Sequence, residues 1–360
     1  MTEASTTVAT ITASSTASLS TIDNLFSITH QIFDEYRITI FVLTGTMMAA
    51  WLYNKLFVNC KFNASTQSMQ GKTVIVTGGN SGIGYETAKD LLQREARVII
   101  VCRNMDKGRE AVRQLCSEIE FNKENLRLMQ CDLCSLESVR NFAKLYNTEE
   151  ERLDVLICNA GLAWSPDIVT KDGFNSIIQA NYLGHFLLTN LLLDKLKKCR
   201  PSRIVNVSSG AHRSMRSIDW SDAFTQFKTF RFWGPYPASK AFQILSSYKL
   251  KHDLLATEGI NTFTLNPGWV WTSIHSVLRE ALGFSAALLI YPILRILKVP
   301  FAKTPKTGAR TTIYCAVEPT LEHSHDLYFD NCTAVKPSSL CTDDTLANQL
   351  WKLSEEAVGL

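Results

Sequence analysis

The chain changes character along its length. Residues 1–36 are rich in Ser, Thr and Ala, carry almost no charge and show no apolar period, which predicts a disordered tail that buries too little surface to order itself. Over residues 37–59 the pattern turns to nearly continuous apolarity. Between Ile38 and Val58 the only charge is Lys55, and the run has about the length that a bilayer-spanning helix requires. Thr44, Gly45 and Thr46 weaken it, so an amphipathic helix packed on a domain is the competing reading. From residue 70 onward, short β-branched runs alternate with helical periodicity. Residues 72–77, 97–102, 125–130, 153–157, 202–209 and 260–265 read as strands, with another near 326–329. Strands alternating with helices predict an α/β domain on a parallel sheet.

At 360 residues and 46% hydrophobic content the chain can bury one large core, assigned to 70–335, with a C-terminal tail or helix over 336–360. The formal charge of +3 is small for this length and the basic residues form no run, so nucleic acid is not an expected partner. Ten cysteines lie without framework spacing, several inside strand-like runs, which points to a reducing compartment. Cys131 and Cys134 form a CxxC, but no second pair or histidine stands at ligand spacing, and no metal is expected. Asp34, Glu35 and Arg37 precede the apolar segment, whereas Lys55, Lys61 and Lys72 lie at and beyond its far end. That excess of cations places the C-terminal side in the cytosol. A cleaved signal is disfavoured because no basic region precedes the segment and no clear cleavage site follows it. The expectation is a membrane protein of endoplasmic-reticulum type, anchored at its N-terminus, with a cytosolic domain and an unused sequon at Asn63.

The strand 72–77 runs straight into Gly78-Gly79-Asn80-Ser81-Gly82-Ile83-Gly84, and a helical pattern follows from Tyr85. A tight glycine turn that brings a helix N-terminus up to a pyrophosphate is what dinucleotide binding requires. From Thr77 the spacing is TGxxxGxG rather than GxGxxG. In this the chain resembles the short-chain dehydrogenase/reductase family, as distinct from that family's extended members. The second strand ends where an acid would hold a ribose 2′-hydroxyl, and Arg103 and Asn104 stand there instead. A guanidinium pairs with a 2′-phosphate that an acid would repel, so NADP(H) is the preferred cofactor and NAD(H) the fallback. A solvated surface arginine is the competing reading. The resemblance further implies that Asp132 and Leu133 lie beside the adenine. It also implies that Asn159, Ala160 and Gly161 wall the nicotinamide, with Cys158 in place of the family's first Asn.

The run SRIVNVSS ends in Ser208 and Ser209, and Tyr236-Pro237-Ala238-Ser239-Lys240 opens a helix. Four residues apart, Tyr236 and Lys240 share one helix face. A phenol titrates at about 10, so a neighbouring ammonium is needed to favour its ionised form near neutrality. In the family resembled, Tyr236 would be the general acid/base on the substrate oxygen. Ser209, with Ser208 as its rival, would donate a hydrogen bond to that oxygen. Lys240 would lower the tyrosine's pKa and hold the nicotinamide ribose, and Asn181 would position a proton-relay water. Pro267, Gly268, Val270 and Thr272 are similar to the family's PGxVxT, implying that Val270 and Thr272 face the carboxamide.

Ser209 and Tyr236 stand 27 positions apart, about twice the interval usual in that family. The insert carries Trp220, Phe224, Phe227, Phe230, Phe232 and Trp233. With segments 172–174, 181–194 and 303–309, it resembles the branch of retinol dehydrogenases, WW-domain oxidoreductases and their X-linked relatives. The resemblance covers residues 71–351. It implies a single Rossmann-type domain with a doubly wound, seven-stranded parallel sheet, acting as an NADP(H)-dependent alcohol/carbonyl oxidoreductase. Residues 274–300, apolar through most of their length, would cover the substrate cleft and point to a lipophilic small molecule of retinoid, steroid or polyisoprenoid type. A lid packed on itself or on a second subunit of a homodimer is the competing reading. Two other classes stay open: a non-catalytic NADP(H)-binding scaffold, and an isomerase or epimerase using the same Tyr-Lys pair.

Overall fold

The computed structural model describes residues 66–163, 165, 169–225, 234–270 and 302–360, with scattered positions between 27 and 52. The chain divides into two units, Met1–Lys55 and Leu56–Leu360. In the first, the described positions from Tyr36 to Leu52 are helical, and Phe41, Val42, Met48 and Leu52 are exposed. Thr44 and Thr46 donate their hydroxyls to the Phe41 and Val42 carbonyls, satisfying them within the helix. Among the described residues no helix is long and apolar enough to cross a membrane. Much of the expected anchor 37–59, nearly all of the tail 1–36 and most of the expected lid 274–300 lie outside them.

The second unit is built on one sheet. Its strands are β1 (Thr73–Thr77), β2 (Arg97–Cys102), β3 (Leu126–Gln130), β4 (Val155–Cys158), β5 (Ser202–Val207), β6 (Ile260–Asn266), β7 (Tyr328–Asp330) and β8 (Thr333–Ala334). They lie in the order β3-β2-β1-β4-β5-β6-β7-β8. The first seven pair parallel, and β8 returns antiparallel on β7. The expected seven-stranded parallel sheet is therefore corrected by one strand. Asn331 and Cys332, at φ 50° and 59°, form the two-residue turn that reverses the chain. A return of two residues is too short for an apolar pattern to mark it.

Helices α1 (Gly82–Gln93), α2 (Met105–Glu118), α3 (Leu136–Glu149), α4 (Gly184–Lys198), α5 (Pro235–Glu258), α6 (Pro305–Val317) and α7 (Asp344–Val358) cover the sheet. Because both sheet faces are buried, strand residues alternate between two cores instead of between core and water. Val74, Val76, Val98, Ile100, Val155 and Ile157 pack with Leu91, Leu115 and Ile313 of α1, α2 and α6. Ile75, Ile99, Val101, Leu156 and Cys158 pack with Tyr146, Leu187, Phe242 and Leu350 of α3, α4, α5 and α7. The C-terminal helix is thus part of the core: Trp351 meets Phe186 edge-on, with ring centroids 4.8 Å apart, and Ser354 accepts the Tyr182 hydroxyl at 2.7 Å. Sequence order reverses between β1 and β4, and at such a switch point the carboxyl ends of the strands open a binding crevice.

Candidate active site

β1 delivers Thr77 and Gly78 to that crevice. Gly78 and Gly82 sit at φ 65° and 57°, where a side chain is strained. A Cβ on Gly84 would lie 2.4 Å from the Gly78 carbonyl oxygen and 2.5 Å from Asn159 Nδ2, so only glycine lets α1 start against the turn. Ser81, the N-cap, makes no side-chain cap bond, which leaves the first N–H groups of α1 available to an anion. Asn80, Ser81 and Ile83 are at least partly exposed along the turn. A cradle lined by backbone donors and closed to side chains fits the diphosphate of a dinucleotide.

Arg103, just past β2, is exposed, and its guanidinium has no ion-pair partner among the described residues. Asn104 beside it caps α2, its Oδ1 accepting from Lys107 N at 3.0 Å. Asp132 accepts from Cys134 N at 2.9 Å, and Leu133 presses on α4 so closely that a Cβ at Gly184 would lie 2.6 Å from its carbonyl oxygen. Asn159 donates Nδ2 to Thr77 O at 2.8 Å, while the N–H groups of Asn159 and Ala160 both reach Thr77 Oγ1, at 2.9 and 3.0 Å. Cys158 is wholly buried, and burial pushes its thiol up to about 12. Pro267, Gly268 and Val270 follow β6. Val270 is pinned by Gly308 of α6, where a Cβ would come within 2.5 Å of Val270 Cγ2 and 3.4 Å of Ile83 Cγ1. Thr272 lies outside the described residues.

β5 ends at Val207 and hands two serines to the crevice. Ser208 is buried and donates to the Lys240 carbonyl at 2.9 Å. Ser209 accepts from Ala211 N, and its hydroxyl is the one that pulls the Tyr236 phenol toward lower pKa, so it is Ser209 that faces the tyrosine. The Ser209 carbonyl is held by His212 Nδ1 at 2.7 Å, whose Nε2 accepts from Ser338 N at 3.2 Å. Tyr236 stands in the first turn of α5, behind Pro235. Lys240, one turn on, holds Nζ 5.6 Å from the phenol ring centroid and donates to Val207 O at 2.9 Å and Gln243 Oε1 at 3.1 Å. Burial lowers the lysine to about 7, and burial raises Tyr236 against the downward pull of Ser209. The expected lowering of the tyrosine by Lys240 is therefore absent from this arrangement. A lysine lowered by burial and bonded elsewhere does little for the phenol, which burial keeps protonated at neutral pH.

Asn181 lies in a π turn, Gln179–Leu183, that leads into α4. Its Oδ1 accepts from Leu162 N at 2.7 Å, and its Nδ2 donates to Leu162 O and Ser239 Oγ, both at 2.9 Å. A Cβ at Gly161 would lie 3.3 Å from Asn181 Oδ1 and 3.6 Å from Lys240 Nζ. One bare glycine thus faces both groups, and Lys240 in turn stands beside Tyr236.

His185 and Gln243 were not nominated from sequence. Each stands one helical turn from a nominated residue, four after Asn181 and three after Lys240, and that spacing is the signal that could have found them. His185 Nδ1 is 3.0 Å from the Asn181 carbonyl oxygen and Nε2 is 2.9 Å from Thr77 Oγ1. A carbonyl only accepts, so Nδ1 carries the proton and Nε2 accepts from the threonine. Burial lowers the ring's pKa from 6.5 to about 4, assisted by the charge of Lys240. Between those values the unfolded chain binds a proton that the folded chain does not. Stability therefore falls as pH drops through the window, by about 3 kcal/mol in all. Urea unfolding at about pH 7 and about pH 4.5 should show the wild type losing roughly 2 kcal/mol more than His185→Gln. Equal losses would refute the neutral, buried assignment.

Residues 72–283 match the short chain dehydrogenase family. Retinol dehydrogenase 13 of Mus musculus is 38% identical over 320 residues, covering 88% of this chain and 93% of its own length. The WW domain-containing oxidoreductase of Gallus gallus is 37% identical over 299 residues, covering 81% of this chain and 69% of its own. The crystal structure of an uncharacterized protein from Mycobacterium Paratuberculosis superposes with a TM-score of 0.63 at 30% identity, covering 83% of this chain and 98% of that one. The Pseudomonas aeruginosa RhlG/NADP active-site complex, with a TM-score of 0.53 at 23% identity over 73% of this chain and 95% of that one, shares the fold.

Proposed function

The chain belongs to the short-chain dehydrogenase family, as an oxidoreductase of the retinol dehydrogenase branch, and we propose that it interconverts an alcohol and a carbonyl on a lipophilic substrate with NADP(H). The observation that carries this reading is the placing of Tyr236 and Lys240, with Ser209 acting on the phenol, beside the glycine cradle. A bound reduced nicotinamide dinucleotide supplies the hydride. The chain's own residues act on the oxygen. Ser209 donates a hydrogen bond that polarises the carbonyl, and Tyr236, kept protonated by burial, passes its proton to the same oxygen as the alcohol forms. In the reverse direction Tyr236 takes that proton back. Thr77, Gly78, Asn80, Ser81, Gly82, Ile83 and Gly84 would cradle the diphosphate, and Asn159, Ala160, Gly161, Pro267, Gly268 and Val270 would wall the nicotinamide. An exposed Arg103 with no acid partner supports a 2′-phosphate.

Trp269, 42% exposed beside Gly268, and the apolar run 274–300 support a lipophilic substrate. Full-length protein in micelles, given NADPH with retinal, a steroid ketone, a polyprenyl aldehyde and a small water-soluble aldehyde, is expected to consume NADPH. The KM for at least one lipophilic carbonyl should be at least about tenfold below that for the small aldehyde. No consumption with any carbonyl sinks the oxidoreductase mechanism, and equal KM values remove the lipophilic preference. Exposed apolar positions on the helix around Phe41, Val42, Met48 and Leu52 support the membrane anchor, and the lysines beyond it support a cytosolic domain on the endoplasmic reticulum. Protease added to sealed microsomes should digest that domain, and protection would reverse the orientation.

A further inference from the structure

Gln243 lies inside α5 and is buried beside Lys240. Its carboxamide has two partners of opposite kind. Oε1 accepts from Lys240 Nζ at 3.1 Å, and Nε2 donates to the main-chain carbonyl of Asn181 at 2.9 Å. The same carbonyl faces His185 Nδ1 at 3.0 Å. Two side-chain donors thus converge on one carbonyl oxygen. We propose that Gln243 is a positioning residue, a fixed amide bridge that holds Lys240 to the Asn181 carbonyl. The kinetic consequence rests on the oxidoreductase reading, whereas the bridge is a property of the folded chain.

An amide is neither acid nor base near neutrality, so it orients the ammonium but passes no proton. The side chains that surround Lys240 also explain why the bridge matters to its charge. The titratable groups facing it are Tyr236 on α5 and His185 on α4, both neutral, and burial is what lowers its pKa. Gln243 is then the side-chain acceptor that favours the ammonium form, beside the Val207 carbonyl.

The test uses full-length protein labelled with carbon-13 at lysine Cε, with the Lys240 signal assigned by K240R. Gln243→Met keeps the volume and loses both bonds, whereas Gln243→Ala opens room for water to replace the bridge. In Q243M the Lys240 midpoint is expected to move to lower pH, equivalent to about a tenfold loss of proton affinity, and Q243A should restore much of it. With NADPH and a carbonyl substrate, kcat of Q243M should fall about tenfold while KM and NADPH affinity, read by fluorescence, stay within about twofold. An unchanged Lys240 midpoint in Q243M overturns the proposal, including the case where Tm and kcat fall together. A shifted midpoint in a wild-type background that turns over no carbonyl leaves the bridge standing and defeats the oxidoreductase mechanism instead.

Discussion

Tyr236→Phe is expected to lower kcat by about a thousandfold or more with every carbonyl that the wild type reduces, and to leave the NADPH dissociation constant within about twofold. The substitution removes one oxygen and keeps the ring. Among the described residues that oxygen bonds only to Ser209, so the packing of α5 has little reason to change. The proton donor is what disappears. Ser209 can still polarise the carbonyl, but an aliphatic hydroxyl is too weak an acid to take over the transfer. Lys240 is committed to Val207 O and Gln243, and among the described residues no other titratable side chain is hydrogen-bonded to the Ser209 or Tyr236 hydroxyl. A thousandfold loss corresponds to about 4 kcal/mol of transition-state stabilisation, a magnitude that general acid catalysis supplies. Stopped-flow reduction and NADPH fluorescence titration check the two halves separately. Residual turnover above about a tenth of the wild type contradicts the assignment. Because burial raises the phenol, the reduction rate should hold through neutrality and decline only in alkaline solution, as the tyrosine loses its proton.

Arg103→Asp should reverse cofactor preference, with the NADPH-to-NADH ratio of kcat/KM falling by about a hundredfold. Arg103 follows β2 at the sheet's carboxyl edge, exposed and without an acid partner among the described residues, so its charge is available to a ligand. The change removes a charge-assisted bond to a phosphate, worth about 2 kcal/mol, and adds repulsion between two anions. Salt weakens both effects because the position faces solvent, so low ionic strength should give the largest swing. The aspartate also gains something, since it can accept the 2′-hydroxyl of NADH. An unchanged ratio of the two cofactors would show that Arg103 is a solvated surface residue and that the phosphate is read elsewhere.

The buried strands and the glycine turn were legible from local sequence because their physics is local. A strand covered on both faces has to be apolar at nearly every position, and β1, β2 and β4 are found within one or two residues of where their runs predict them. The edges were less legible. β8 is two residues long, and the turn before it places Asn331 and Cys332 at positive φ, a conformation that neither residue type announces strongly. Nothing local marks Gly308 as important, because its role arises only where α6 packs it against Val270.

The sequence by itself determined the fold class and the glycine cradle, since both rest on contiguous residues and local periodicity, while the resemblance of its motifs nominated Asn181, Ser209 or Ser208, Tyr236 and Lys240. The tertiary structure alone decided how that set is wired. Ser208 and Ser209 are neighbours past the end of β5, and successive residues of an extended chain point opposite ways, so only one could meet the tyrosine. Which one depends on how β5 aligns with α5 across a gap of some 27 residues. The same holds for Thr77 with His185, 108 positions apart, and for Asn181 with Gln243, 62 apart. Local periodicity encodes which face of an element is buried, but the partner of a buried polar group is chosen by the packing of distant elements.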